Sequence, residues 1–261
     1  MNQSAQEISP DALVPMDLFR NNFPLRVQLA YKHDTSPNIF GSIYAQSARL
    51  WLHVDLAKIV LLAAHFIHEQ SGFECVLYDG LRTIEAQKRM ANSPIARANP
   101  HWLEQPNRLL SPPGGGAHPR GMAIDLSILG SDGAPLDMGT AFDYLAEDAS
   151  AEHNPAHRDH PNISTEAQSN RALLTDAMVK AAAMLSTPLM PLPQEWWDFR
   201  LPTKTYERYA PLSDADLPPD MRMTQDGGSN DSPNSRPENL SVKHFESLKA
   251  SLMDDLNLHL R

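Results

Sequence analysis

The sequence predicts an α+β fold in which a small mixed or antiparallel sheet has helices packed mainly on one of its sides. Residues 122–128 carry apolar side chains at every second position, which is typical of a half-buried strand. Residues 54–69 repeat apolar side chains at helical spacing, and Gly72 follows them as a helix terminator. Residues 73–78 form a short apolar run that ends at Asp79-Gly80, as expected of a buried strand.

Other elements follow from the same patterns along the chain. Alternation of apolar and other side chains over residues 27–31 predicts a first strand. Residues 84–90 predict a short helix, and residues 91–113, rich in proline and asparagine, predict a long loop. Apolar side chains over residues 165–185 recur as they do in an amphipathic helix.

Composition divides the chain into three parts. Residues 1–212 carry the patterns above and are predicted to form one domain. Residues 213–240 are dense in Asp, Pro, Ser, Asn and Gly and predict a disordered linker. Residues 241–261 predict an amphipathic C-terminal helix, which could dock on the domain, pair with a second subunit in a homo-oligomer, or bind a partner.

Charge and cysteine content exclude several classes of protein. The chain has 261 residues, of which 41% are hydrophobic, enough for a sizeable core. Its formal net charge of -10 argues against binding to nucleic acid or to an anionic membrane surface. The single cysteine, Cys75, excludes an internal disulfide framework and a thiolate zinc cluster. We find no secretory signal and no apolar run long enough to span a bilayer, and we expect a cytoplasmic protein.

A glycine-rich turn and the strand after it bring together two residue types that bind metals. His118 follows three glycines, and Asp125 lies on the strand face opposite the apolar side chains. A carboxylate inside an apolar strand is costly to bury unless it is paired or bound to a metal. A histidine and an aspartate at this spacing can both contact one divalent ion on the open face of the sheet. The alternative is a surface turn with a solvated aspartate.

A second stretch, Gln-Glu-Trp-Trp-Asp-Phe at residues 194–199, follows a proline-rich segment. It predicts a short strand with Glu195 and Trp197 on one face and Trp196 and Asp198 on the other. The alternative is an aromatic core strand whose carboxylates lie at the edge.

Together these stretches resemble the zinc D-alanyl-D-alanine dipeptidases of the vancomycin-resistance type. The resemblance covers about residues 25–210 and keeps the order of the motifs. Its motifs are Tyr31 through Asn38-Ile39-Phe40-Gly41, Tyr78-Asp79-Gly80-Leu81-Arg82, His118-x-x-Gly121-x-Ala123-x-Asp125, the segment from Asp137 to Asp143, and Glu195-Trp196-Trp197.

The resemblance implies that residues 1–212 are a catalytic domain and implies roles for seven residues. His118, Asp125 and Asp198 would hold one divalent metal, and Glu195 would be the general base. The remaining three would act on the substrate, Arg82 on the oxyanion and Asp143 with Tyr31 in binding a small peptide. Without the resemblance, Arg82 could simply pair with surface carboxylates, and Asp143 could be an ordinary carboxylate at a helix end.

Two positions depart from the family pattern. Asp198 stands where the family has its third metal-binding histidine, and Gly116 stands where it usually has a serine. The resemblance implies zinc as the metal. One nitrogen and two carboxylates form a harder set of ligands than the family's, and this set would also suit manganese or iron. The histidines at positions 153, 157 and 160, close to Asp159, are either a solvated loop or the source of a different third ligand.

The expected function is metal-dependent hydrolysis of a short peptide containing D-amino acids, such as D-Ala-D-Ala, linked to peptidoglycan peptide turnover. The alternative is a non-hydrolytic or altered-metal relative that binds cell-wall peptide fragments. Glu195 favours the enzyme, because a binding protein has no evident need for a general base. The histidine-to-aspartate change at position 198 favours the alternative.

Overall fold

The computed structural model describes residues 5–35, 37–105, 108–225 and 242–257. Its strands are β1 (Leu13–Pro15), β2 (Leu25–Val27), β3 (Trp51–His53), β4 (Glu74–Asp79), β5 (Ala123–Leu129), β6 (Met190–Pro191) and β7 (Asp198–Arg200). Its α-helices are α1 (Val54–Ser71), α2 (Ile84–Ala91), α3 (Pro94–Ala98), α4 (Thr165–Met184), α5 (Thr203–Tyr206) and α6 (Val242–Asn257).

The main sheet has five strands in the order β2-β4-β5-β7-β6. Strands β2 and β4 run parallel, and the other neighbours are antiparallel, so the sheet is mixed. Strands β1 and β3 form a separate antiparallel pair. The α+β prediction is therefore confirmed, with β5 at the centre of the sheet.

Two long helices cover one side of this sheet. Helix α1 lies against β4 and α4 lies against β5, and the two helices also pack against each other. Gly72 ends α1 in the left-handed conformation, at φ +73°, as its position in the sequence predicts. No helix among the described residues is both long and apolar enough to cross a membrane.

The strand predicted over residues 27–31 overlaps the observed strand only at Val27. Strand β2 ends at Val27, and Tyr31 lies in a 3-10 turn, Ala30–Lys32. The Tyr31 ring is buried and makes edge contacts with the rings of Phe40 and Tyr44. An aromatic pocket, rather than continued strand pairing, therefore fixes the position of this tyrosine.

Part of the segment predicted as a disordered linker, residues 213–225, is packed on the domain. Leu217, Met221 and Met223 are fully buried in the core. Asp214 is also buried, and its carboxylate accepts hydrogen bonds from the backbone of Met223 and Thr224 at 3.0 and 2.9 Å. Apolar residues spaced among prolines suffice to hold this segment on the domain, so the folded part extends to residue 225. Residues 226–240, the rest of the predicted linker, lie outside the described residues, as does residue 241.

The C-terminal helix docks on the domain of its own chain. Phe245 packs against Trp51 with ring centroids 5.8 Å apart, and Lys58 pairs with Asp255 at 2.6 Å. Leu252 and Leu256 are buried. The structure thus shows docking on the domain for residues 242–257, whereas pairing with a second subunit or with another partner stays a prediction. Residues 258–261 lie outside the described part.

Candidate active site

Three neighbouring strands each carry an aspartate at the same level of the sheet. Asp79 on β4 is in register with Asp125 on β5, and Asp125 is in register with Asp198 on β7. Residues directly opposite each other in antiparallel strands point to the same face. All three side chains are buried, so a row of carboxylates crosses the face opposite to Ile124 and Leu126.

His118 lies next to this row. It sits in a 3-10 turn, His118–Arg120, immediately before β5. Its Nδ1 bonds to the carbonyl oxygen of Gly80 at 2.8 Å, so the Nδ1–H tautomer leaves Nε2 facing the carboxylates. Nε2 is 3.5 Å from Asp125 Oδ1 and 3.4 Å from Asp198 Oδ2.

Arginines hold the two ends of the row. Arg82 donates from Nε to Asp79 Oδ2 at 2.9 Å. Arg200 donates from Nε to Asp198 Oδ1 at 2.8 Å, and its Nη2 pairs with Asp198 Oδ2. Burial acts to raise the pKa of Asp198, but Arg200 outweighs it, helped by His118, and holds this pKa well below its usual range.

Among the three carboxylates of the row, the central one, Asp125, has an oxygen without a hydrogen bond to the described residues. Asp125 Oδ1 is buried and has no hydrogen-bond partner among the residues that the structure describes. Burial and Arg82 act to lower the pKa of His118, but Asp125 and Asp198 raise it to about 10. A buried site that is this negative and holds an unpartnered oxygen beside an imidazole nitrogen fits a divalent cation.

The carboxylate on the other side of the imidazole is a weaker candidate for that cation. Asp79, His118 and Asp125 each offer a ligand atom within 4.8 Å of the others. However, Asp79 approaches the ring from the side of Nδ1, and this nitrogen already bonds to the carbonyl oxygen of Gly80. The Nε2 side, with Asp125 and Asp198, is the better candidate because its oxygens face the ring nitrogen that is not already bonded.

Glu195 reaches the same cavity from a turn. We predicted a strand over residues 194–199, but β7 begins only at Asp198, and residues 193–197 form turns after a proline-rich stretch. In a strand, Glu195 and Asp198 would point to opposite faces. The turn instead lets both line one cavity. Burial raises the pKa of Glu195 to about 8, with further contributions from Asp198 and Asp125.

Asp143 and Tyr31 form a buried pair in this cavity. The Tyr31 hydroxyl donates to Asp143 Oδ1 at 2.8 Å, whereas Asp143 Oδ2 is buried and bonds to none of the described residues. Burial raises the pKa of Asp143 well above its ordinary value, and Asp125 adds to this. Asp143 also has φ +60°, a conformation uncommon outside glycine. Backbone strain of this kind is often found at functional sites.

The glycine-rich turn shows why position 116 has no side chain. Gly116 has φ +77°, and a Cβ there would lie 2.8 Å from Ser111 Oγ. Ser111 and Gly116 both line the cavity. Ser111 Oγ therefore occupies the space that a side chain at position 116 would need.

Known proteins resemble this chain over most of its length. The profile of the D-ala-D-ala dipeptidase family matches residues 19–213. The D-alanyl-D-alanine dipeptidase of Escherichia coli (strain K12) is 32% identical over 176 residues, which is 67% of this chain and 79% of the relative.

The chain belongs to the D-ala-D-ala dipeptidase family. The resemblance inferred from the motifs is confirmed, and the chain is a dipeptidase-like enzyme. A crystal structure of Serratia marcescens L-Ala D-Glu endopeptidase ChiX also aligns, with 16% identity and a TM-score of 0.34, over 60% of this chain and 84% of that one. A TM-score this low carries no argument about activity.

The histidine-rich segment does not supply a ligand to the site of this dipeptidase. His153 lies on the surface beside Asp148, His157 accepts a bond from its own loop, and His160 bonds to the carbonyl of Ala151. None of the three is among the described residues that line the cavity. The solvated-loop interpretation agrees with the structure for His153, which is exposed, but not for His157, which is buried.

Sequence reasoning missed two residues of the dipeptidase site. The sequence shows Asp79 only as part of a motif, because its place in the row depends on a register shift between Leu77 and Asp79. Arg200 lies two residues after Asp198 on the same strand, so the two side chains share one face of the sheet. That spacing is the signal that could have identified Arg200.

Proposed function

We propose that this dipeptidase is metal-dependent and hydrolyses D-Ala-D-Ala or another short peptide that contains D-amino acids, as part of peptidoglycan peptide turnover. The observation that carries the proposal is one cavity lined by His118, Asp125, Asp198, Glu195 and Asp143. This cavity brings together a candidate cation site, a carboxylate with a raised pKa and a separate buried carboxylate. These groups would serve, in turn, to polarise the peptide carbonyl, to transfer a proton and to bind the substrate.

His118 Nε2, Asp125 and Asp198 would hold the metal. When bound, a divalent cation polarises a carbonyl group and lowers the pKa of water. Zinc is the metal of the resembled family, and the two carboxylates of this donor set also suit manganese or iron.

Glu195 would act as the proton carrier. It takes a proton from the water whose oxygen attacks the scissile carbonyl carbon, and it returns that proton to the nitrogen as the C–N bond breaks. Its pKa supports this role, because the value of about 8 in the metal-free site would be lowered by a divalent cation beside Asp125 and Asp198, so that the carboxylate could both accept and release a proton near neutral pH.

The remaining residues would bind the dipeptide and its transition state. Asp143 Oδ2 would accept a bond from the ammonium group at the N-terminus, while Tyr31 holds the other oxygen. Arg82 lines the cavity 3.5 Å from Asp125 and would stabilise the negative charge that develops on the carbonyl oxygen. We place the reaction in the cytoplasm, with support from the single buried cysteine, which needs no oxidising compartment.

The test is release of free D-alanine from D-Ala-D-Ala by the purified full chain. We expect release that stops after chelation and returns when Zn²⁺, Mn²⁺ or Fe²⁺ is added. Glu195→Gln should bind the same amount of metal but release no D-alanine. Hydrolysis at an unchanged rate in Glu195→Gln or in the chelated protein would contradict the proposal. Binding of the dipeptide by wild type without hydrolysis would favour the alternative of a peptide-binding relative.

A further inference from the structure

We propose that Arg200 is the positioning residue that lets an aspartate serve where the resembled family uses a third metal-binding histidine. Its guanidinium holds both oxygens of Asp198 and cancels the charge that this carboxylate adds to the site. The inference rests on the proposed metal-dependent function and concerns how this chain builds its cation site.

The geometry of strand β7 places Asp198 and Arg200 side by side. Asp198 and Arg200 are two residues apart on β7, so their side chains share one face. Ala123 lies directly opposite Arg200 on β5 and presents only a methyl group to it. Arg200 Nε and Nη2 contact the two different oxygens of Asp198, which is the parallel two-bond arrangement of guanidinium and carboxylate. The Asp198 side chain is 1% exposed and that of Arg200 11% exposed.

This arrangement fixes which part of the carboxylate faces the site. Oδ2 of Asp198 lies 3.4 Å from His118 Nε2, on the side where the cation would bind. Arg200 Nε engages Oδ1 and Nη2 contacts Oδ2, so Asp198 can offer the cation only Oδ2, through the lone pair that Arg200 does not use. A carboxylate held in this way resembles an imidazole, which offers one donor atom in a fixed direction.

Charge provides the second argument. With a neutral histidine as the third ligand, Asp125 and Glu195 carry two negative charges opposite one divalent cation. Asp198 adds a third negative charge to a buried site, where unbalanced charge is strongly unfavourable. Arg200 restores the balance. Arg82 is engaged by Asp79, and Arg158 donates to the backbone oxygen of Asp198 rather than to its carboxylate.

The two residues should therefore depend on each other. Asp198→His alone would leave the cationic Arg200 buried beside a divalent cation, with no carboxylate between them, so metal binding should weaken although histidine is the better zinc ligand. Replacing Arg200 as well should remove that repulsion. We therefore expect that replacing Arg200 restores the metal binding that Asp198→His weakens.

The experiment measures the dissociation constant for Zn²⁺ by competition with a chromophoric chelator. The proteins are the full-length, metal-free wild type, Asp198→His and Asp198→His/Arg200→Gln, each checked for folding by circular dichroism. Arg26→Gln, which removes an exposed arginine paired with Glu74, is the matched control and should bind as wild type does. We expect Asp198→His to bind at least about tenfold more weakly than the double variant. Equal binding by these two variants would overturn the inference.

A second measurement reports how many oxygens of Asp198 bind the metal, rather than the charge of the site. In Arg200→Gln the freed carboxylate can offer both oxygens, so the visible absorption spectrum of bound Co²⁺ should change in intensity toward that of a higher coordination number. Should Arg200→Gln not fold, Arg200→Lys keeps the charge but lacks the two-bond geometry and should show the same spectral change. A Co²⁺ spectrum identical to that of wild type would overturn the positioning role. Failure of wild type to bind Zn²⁺ or Co²⁺ would instead overturn the proposed function.

Discussion

At the scale of single residues, burial and the nearest arginine decide what each carboxylate can do. Glu195, Asp143 and Asp198 are all buried in one cavity. Burial raises the pKa of Glu195 and Asp143, whereas Arg200 reverses its effect on Asp198. Carboxylates whose environments separate their pKa values can take different chemical roles. Asp198 is thus suited to remain ionised beside a cation, and Glu195 to exchange a proton.

The raised pKa of Glu195 predicts how the metal-free protein responds to pH. Between its ordinary pKa of 4.5 and its folded pKa of about 8, the folded state keeps a proton that the unfolded state has lost. Raising the pH across this interval therefore favours unfolding. We expect the melting temperature, measured with a chelator present, to fall as the pH rises from about 5 to about 8.

Glu195→Gln is the control for this effect. The amide does not titrate, so the slope of melting temperature against pH should become shallower. Asp143, whose pKa is raised in the same direction, should leave some slope. The same slope in wild type and Glu195→Gln would show that Glu195 does not keep its proton in the folded protein.

Arg82 predicts a separation of kinetic constants. Its guanidinium bonds to Asp79 and reaches toward Asp125, which places it at the edge of the reacting groups. Lysine keeps the charge but cannot hold Asp79 and face the cavity at once. We expect Arg82→Lys to lower kcat by about 100-fold with little change in KM. A change confined to KM would assign Arg82 to substrate anchoring.

The sequence predicted the identities of the site residues better than the contacts among them. Residue type and spacing are enough to single out His118 and Asp125 as candidates, whereas Glu195 is singled out by the family resemblance, because alternation places it on the strand face opposite to Asp198. The pairing of Asp198 with Arg200, and the row that begins at Asp79, depend on which strands are neighbours and in which register. Register is set by tertiary packing, so one sequence without its fold does not show it.

At the scale of elements, the prediction failed where a turn replaced a strand. Alternation suggested that residues 194–199 were extended, and it placed Glu195 and Asp198 on opposite faces. The prolines before this stretch limit strand pairing, and the chain turns before β7 begins. The long helices α1 and α4 were predicted more accurately, because their apolar repeat extends over many residues.

The segment after residue 212 gives a prediction at this scale. A chain ending at residue 225 loses α6, whereas a chain ending at 212 also loses the buried Leu217, Met221 and Met223. Full burial of each such side chain contributes about 1.5–3 kcal/mol. We expect residues 1–225 to unfold cooperatively and to keep the metal site, and residues 1–212 to melt at a much lower temperature.

Circular dichroism melts of the two truncations and of full-length Leu217→Ala test this. The point variant should lose about 2–5 kcal/mol, as other buried leucines do. Equal melting temperatures for the two truncations would show that residues 213–225 contribute nothing to the fold.

At the scale of the whole molecule, the candidate cation site joins parts of the chain that are distant in sequence. His118 precedes β5, Asp125 lies within it, and Asp198 begins β7. The unfolded chain does not hold these residues together, so a cation that binds them binds the folded state selectively. Such binding stabilises the entire fold rather than one loop.

Metal binding should therefore raise the melting temperature of the full chain. At a free metal concentration 100 times the dissociation constant, the stabilisation is about 2.7 kcal/mol. For a chain of this size that corresponds to a rise of about 5–10 °C. Differential scanning fluorimetry in a chelator, and then with Zn²⁺, Mn²⁺ or Fe²⁺, gives the rise for each metal. Asp125→Asn should abolish most of it, whereas Asp159→Asn, in the exposed histidine-rich segment, should keep it. The reverse result, with the rise lost in Asp159→Asn and kept in Asp125→Asn, would move the metal from the carboxylate row to that segment.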